Sequence, residues 1–224
     1  MIMNVSRRLH TLSSSHREPG GLRLLGFVFD RLTIWAEGRE PRDISLLIVD
    51  DPHGSLALPC ASQGYRVSLL DSVTARVDEV RRVAKELNLK VDAITVAFKD
   101  ATKIFDVIIV PRFAGSPDEL AALLRDKQVS VAPGGILLAD MSRRAGAKWI
   151  AYRKSLREAG LRLRVVTVAS LIGVPYKSRI FHFIDRFDHA FSSFWPISFA
   201  RRYLLELEPC HTHDPYVIHL MPSL

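Results

Sequence analysis

The feature that most constrains this chain is a series of short apolar runs that each end in a polar turn. Ile44-Ser-Leu-Leu-Ile-Val49 runs into Asp50-Asp51-Pro52-His53-Gly54, Tyr65-Arg-Val-Ser-Leu-Leu70 ends at Asp71, and Phe105-Asp-Val-Ile-Ile-Val110 ends at Pro111-Arg112-Phe113. A strand that is apolar at nearly every residue has both faces covered, and such strands belong to parallel sheets with helices packed on either side. Helical periodicity fills the gaps. Val73, Val77, Val80, Val83 and Leu87 make one apolar face and leave Arg76, Asp78, Glu79, Arg82 and Lys85 to water, with Ser72 placed to cap the helix.

The same reading extends along the chain. Leu22 to Trp35 is an amphipathic helix, residues 55–63 a short one closed by Gly64, and Val91 to Val96 a third strand. Ser116-Pro117-Asp118-Glu119 is a capping box with proline at the first helical position. Gly134-Gly135 turns the chain into a fifth strand, Ile136 to Ala139, that ends in Asp140. Ala145 to Ala159 is a helix stopped by Gly160, Leu161 to Ala169 a sixth strand, and Arg201 to Leu207 a further one. Strands alternating with helices at this spacing imply right-handed crossovers. The expected architecture is α/β, a Rossmann-like doubly wound, mostly parallel sheet of about seven strands with a C-terminal β-hairpin.

With 224 residues, one core is the simplest organisation. We expect a basic flexible tail over residues 1–20, a single domain over 21–207, and a C-terminal extension over 208–224. The segment 174–198 breaks the strand–helix rhythm. Its aromatic and histidine-rich stretch, Phe181 to Trp195, reads as an inserted helical lid closing a pocket, or as a contact with a lipid interface or a hydrophobic acceptor. Hydrophobic residues make up 48% of the chain, which excludes wholesale disorder. A net charge of +7 draws anionic partners at long range, and an RNA or protein partner on a basic surface is one consequence.

Cys60 and Cys210 match no ligand spacing and fit free thiols in a reducing compartment. The Cys210-His211-Thr212-His213-Asp214 string lacks the second, separated ligand pair of a structural zinc site, so no metal is expected. No apolar run is long enough to span a bilayer, and the chain is expected to be cytoplasmic. An organelle matrix would follow if residues 1–17, rich in Arg and Ser, act as a transit segment.

In open α/β sheets ligands sit beyond the carboxyl ends of the strands. The residues there are Asp50, Asp51 and Gly54 after the first strand, Asp71 after the second, Lys99-Asp100 after the third and Pro111-Arg112-Phe113 after the fourth. Acids at neighbouring strand ends suit a nucleoside, because a carboxylate accepts both ribose hydroxyl protons. His53 and His182 are candidate bases because imidazole titrates near neutral pH. No catalytic residue is assigned.

This order of motifs resembles class I S-adenosylmethionine-dependent methyltransferases: a strand, an Asp-x-x-x-Gly turn, a second strand ending in Asp71, Phe105-Asp106 opening strand four, Pro133-Gly134-Gly135 before strand five and a late β-hairpin. The resemblance covers roughly residues 20–207. It implies S-adenosyl-L-methionine as cofactor, with Asp50 or Asp51 and Gly54 in the methionine-binding turn, Asp71 at the ribose, Asp100 on the adenine side and Pro111 at the cofactor's edge. The Pro111 to Phe113 loop falls where that family places acceptor and catalytic residues. The family's turn carries about three glycines, whereas Pro52 and His53 stand here beside Gly54 alone. In this respect Asp51 to Leu58 resembles the cofactor-free amino-terminal half of two-domain bacterial ribosomal RNA guanine methyltransferases. Two functions follow as expectations. One is methyl transfer to a small or lipid-like acceptor; the other is a catalytically inactive relative, a pseudoenzyme that serves as a protein- or RNA-binding scaffold.

Overall fold

The computed structural model of the chain describes residues 21–95, 103–126, 129–142, 149–170 and 202–209. The expected lid over 174–198, the tail, all of the C-terminal extension but Glu208 and Pro209, Asp100 and His182 lie outside them. The elements in order are α1 (Gly21–Trp35), β1 (Ser45–Val49), α2 (Ala57–Ser62), β2 (Arg66–Leu70), α3 (Thr74–Glu86) and β3 (Val91–Ile94). β4 (Lys103–Phe113), α4 (Pro117–Asp126), β5 (Val129–Ser142), α5 (Trp149–Glu158), β6 (Leu161–Ser170) and β7 (Arg202–Pro209) follow.

The seven strands form one sheet in the order β3-β2-β1-β4-β5-β7-β6. β1 pairs in parallel with β2 on one side and with β4 on the other. The chain therefore winds outward from β1 through β2 to β3 and then crosses back to start again at β4. That reversal is the switch point at which such sheets open a crevice at their carboxyl ends. β7 lies antiparallel between β5 and β6, which is the late hairpin expected from the sequence.

Alternation along the strands sorts the core into two layers. Leu46, Ile48, Leu69, Val107, Ile109 and Leu138 face α1, α2 and α3. Leu47, Leu70, Ile108, Val110, Leu137 and Leu205 face α4 and α5. Burying each such side chain contributes about 1.5–3 kcal/mol, and covering both faces is what makes the runs continuously apolar.

Two local expectations are corrected. The α3 helix begins at Thr74 with Val73 at its N-cap, and no side chain caps it. Asp71, not Ser72, tidies this end, because its Oδ1 accepts from the Val73 N–H at 2.8 Å. The fifth strand does not begin after Gly134-Gly135 but runs from Val129 through them. Phe105 pairs with Val131 and Val107 with Ile136, so residues 132–135 bulge out opposite Asp106 alone. Gly135 is required there: a Cβ would sit 2.4 Å from the Asp106 carbonyl oxygen. The Ser116 capping box is formed as expected, with Glu119 N–H donating to Ser116 Oγ at 3.2 Å and Ser116 N–H donating to the Glu119 carboxylate.

Candidate functional site

The carboxyl rim is shaped first by the turn after β1. Asp50 takes φ 51°, His53 φ 63° and Gly54 φ 68°, so the chain reverses through three left-handed residues, of which one is glycine. Asp and His are among the side chains that tolerate this region best. Asp50 continues the ladder by donating its N–H to Leu70 O at 2.8 Å, and its carboxylate is exposed with no hydrogen bond among the described residues.

Asp51 has the opposite fate. It is fully buried, and its carboxylate accepts from Ser55 Oγ at 2.6 Å and from the Leu56 and Ala57 N–H groups, each at 2.9 Å. Burial pushes its carboxyl upward, against these three donors and the Arg112 cation. Both oxygens are thus spent on the start of α2, where the first N–H groups of a helix need partners. Gly54 is equally committed to packing. A Cβ there would lie 3.0 Å from Leu58 Cγ and 3.2 Å from Val80 Cγ2. His53 turns toward α3, its Nδ1 2.9 Å from Glu79 Oε2.

Asp71 occupies the tip of β2, beside Asp50. Its N–H donates to Ile94 O and its Oδ1 accepts from Val73. Its Oδ2 is buried without a hydrogen bond among the described residues. The Arg76 guanidinium stands 3.7 Å away, near enough for Coulombic attraction but beyond hydrogen-bonding range. A buried acceptor left in this condition costs about 1–3 kcal/mol.

On the far side of the switch point β4 ends in buried Pro111 and half-buried Phe113, with Arg112 between them at φ 55°. Three of the four described non-glycine residues with positive φ therefore lie at the tips of β1 and β4. The structure brings Asp50, Asp51, Gly54, Asp71 and Pro111 to one edge of the sheet. Asp50 and Asp71 keep acceptor capacity, whereas Asp51 does not.

Two buried ion pairs had no counterpart in the sequence reading. Arg202, at the start of β7, holds the buried Asp140 of β5 through both oxygens, one at 2.6 Å from Nε. Arg31 of α1 reaches the buried Glu206 of β7. The available signal was the charge itself, since Glu206 interrupts the apolar Leu204-Leu205-Glu206-Leu207 run and must be paired if the strand is covered on both faces. At the opposite, amino edge, a cleft of about 940 Å³ is lined by Arg42, Tyr65, Arg66, Asn88, Lys90 and Asp92, among others. Its walls are the starts of β2 and β3, so it is separate from the rim carrying the acids. No group of His, Cys, Asp and Glu able to hold a metal occurs among the described residues.

No family model matches the chain. In sequence it is similar to a ubiquinone biosynthesis O-methyltransferase of Rickettsia akari (strain Hartford), 26% identical over 87 residues. That match covers 38% of this chain and 34% of the relative, so the chain spans about a third of the length of the curated protein it matches. In structure it is similar to magnesium protoporphyrin IX methyltransferase of Synechocystis PCC 6803 with bound S-adenosylmethionine. The TM-score is 0.58 at 16% identity, over 92% of this chain and 90% of that one. Geranyl diphosphate C-methyltransferase of Streptomyces coelicolor A3(2) gives a TM-score of 0.58 at 14% identity, over 83% and 76%. An S-adenosylmethionine-dependent methyltransferase of Clostridium acetobutylicum ATCC 824 gives 0.56 at 10% identity, over 94% and 99%.

Proposed function

We propose, for a chain that carries the class I methyltransferase fold, that its carboxyl rim binds S-adenosyl-L-methionine and that it transfers the methyl group to a small or lipid-like acceptor. The observation that carries this reading is the buried Asp71 Oδ2, which has no hydrogen bond among the described residues. A ribose diol brings two O–H donors, and a carboxylate at the tip of β2 is where such a diol is bound in sheets of this kind. The residues present fit the cofactor in part. Asp71 would take the ribose and the exposed Asp50 the ammonium of the methionine moiety, with the turn through Gly54 and the Pro111 edge closing the sides. Asp100 is assigned to the adenine side by its place in the sequence. Asp51, fully engaged by Ser55, Leu56 and Ala57, is left out of the contact set.

The bound cofactor supplies an already electrophilic methyl group, so the protein's task is alignment of the acceptor and removal of at most one proton. His53 has its Nδ1 engaged by Glu79 of α3, which ties that nitrogen away from the rim. A small or lipid-like acceptor is supported by the names of the similar proteins above, which carry ubiquinone, protoporphyrin and geranyl diphosphate.

The rival reading, a catalytically inactive scaffold, draws on Asp51 and Gly54. Both are consumed by the protein's own packing, in the turn that would otherwise embrace the methionine moiety. Calorimetric titration of the full chain with S-adenosylmethionine separates the two. Micromolar binding that is lost in Asp71→Ala is the expected result. Absence of heat at millimolar cofactor leaves only the scaffold.

A further inference from the structure

We propose that the outer face of α5 docks on an anionic lipid surface, with the start of the helix, at Ile150, beside the rim that carries the acids. The placement of this helix follows from the topology. β6 runs parallel to β5, since both are antiparallel to β7, so β6 starts at the amino edge. α5 ends just before β6 and must therefore begin at the opposite edge, the carboxyl rim.

The helix divides cleanly into two faces. Tyr152 and Leu156 are buried against the sheet. Ile150, Arg153, Lys154 and Arg157, at spacings of three, four and seven residues, share the outer stripe and are all exposed. Ile150 is 81% exposed, far more than any other described large hydrophobic side chain. Lys154 is engaged with Glu158 in the helix, while Arg153 and Arg157 make no ion pair among the described residues. In the sequence leading into the helix, Arg143, Arg144 and Lys148 follow one another without an acid.

Charge complementarity and shape together select the occupant. Arg153 and Arg157, without an ion pair among the described residues, beside a protruding aliphatic chain match a surface that has anionic head groups over an apolar interior. An RNA strand would satisfy the cations but has no use for Ile150, because single-strand binding relies on aromatic stacking. That the rim beside the docked helix is the acceptor's entrance rests on the methyl-transfer reading; the docking itself does not.

The test is flotation of the full chain with vesicles of phosphatidylglycerol and phosphatidylcholine in equal parts, and with phosphatidylcholine alone, at about 0.1 M salt. We expect partition into the anionic vesicles only. Arg153→Gln and Arg157→Gln should each weaken it roughly fivefold, about 25-fold together. Ile150→Ser should weaken it by about tenfold, and Ile150→Leu should restore it. All four substitutions are at exposed positions, and unchanged circular dichroism verifies the fold.

Equal partition into neutral vesicles, no partition at all, or indifference to Ile150→Ser overturns the proposal. So does binding of a single-stranded RNA homopolymer that exceeds vesicle binding and ignores Ile150→Ser. Titration of S-adenosylmethionine into the same variants keeps the two readings apart, since failure to dock leaves cofactor binding intact and loss of cofactor binding leaves docking intact.

Discussion

Replacing Gly54 by alanine tests whether the turn after β1 is bent for packing or for a ligand. The substitution places a Cβ 3.0 and 3.1 Å from Leu58 Cγ and Cδ1 and 3.2 Å from Val80 Cγ2. Leu58 and Val80 are 1% and 0% exposed, so neither can swing away. Crowding of this degree costs about 1–3 kcal/mol, and holding alanine at φ 68° adds roughly 1 kcal/mol. The sum is about 2–4 kcal/mol, or a fall in Tm of roughly 4–16 °C for a domain of this size. Urea unfolding measures the first quantity and differential scanning calorimetry the second. Val80→Ala in the same background should return part of the loss by making room. A Gly54→Ala variant that keeps its stability within about 0.5 kcal/mol but no longer binds cofactor would refute the packing argument and give the glycine to the ligand.

Arg202→Leu should destabilise by about 3–5 kcal/mol in urea unfolding, because it leaves the Asp140 carboxylate buried and unpaired, whereas the double variant with Asp140→Leu should recover most of that. Gly135→Ala should cost about 3 kcal/mol or more and raise amide exchange around Asp106, since the new Cβ meets the Asp106 and Ala132 carbonyl oxygens at 2.4 and 2.9 Å. Burial opposes ionisation of Asp106, yet hydrogen bonds from Ser45 and Arg39 outweigh it and hold the carboxyl below its ordinary value. A folded pKa below the unfolded one contributes stability above the ordinary carboxylate range and loses it as pH falls through the folded value. The acid limb of a stability profile below about pH 4 should therefore flatten in Asp106→Asn.

Much of the fold was legible because the strands advertise burial on both faces. Ile108 and Ile109 are consecutive, apolar and on opposite sides of the sheet, and no helix of this length presents that pattern. The α3 face was equally plain from Val77, Val80 and Val83. What could not be read was how far β5 extends, since Pro133-Gly134-Gly135 has the composition of a turn. Its role as a bulge depends on the Asp106 carbonyl lying across from Gly135. Asp140 and Glu206 were visible as acids, but their partners Arg202 and Arg31 are distant in the chain, and long-range pairing leaves no local signature.

The acids of the rim were legible as a set but not in their roles, and the roles follow from one backbone choice. Because Asp50 adopts a left-handed conformation, the next carboxylate swings inward and meets the first N–H groups of α2, while Asp50 itself is left in water. Asp51 then holds the strained turn. It does so by accepting from Ser55, Leu56 and Ala57, although burial of the carboxyl works against these bonds. A turn with one glycine is in this way kept bent without the usual three.

Asp71 allows no such account. It accepts from Val73 through one oxygen, a task serine or asparagine would perform without burying a charge, and its other oxygen has the Arg76 cation at 3.7 Å but no hydrogen bond among the described residues. Without a ligand at this rim, the buried Oδ2 is left with Coulombic attraction to Arg76 alone, and an asparagine that kept the Val73 hydrogen bond would bury no charge. The carboxylate makes energetic sense when something else supplies the missing donor, which is the argument for a bound nucleoside over a bare scaffold.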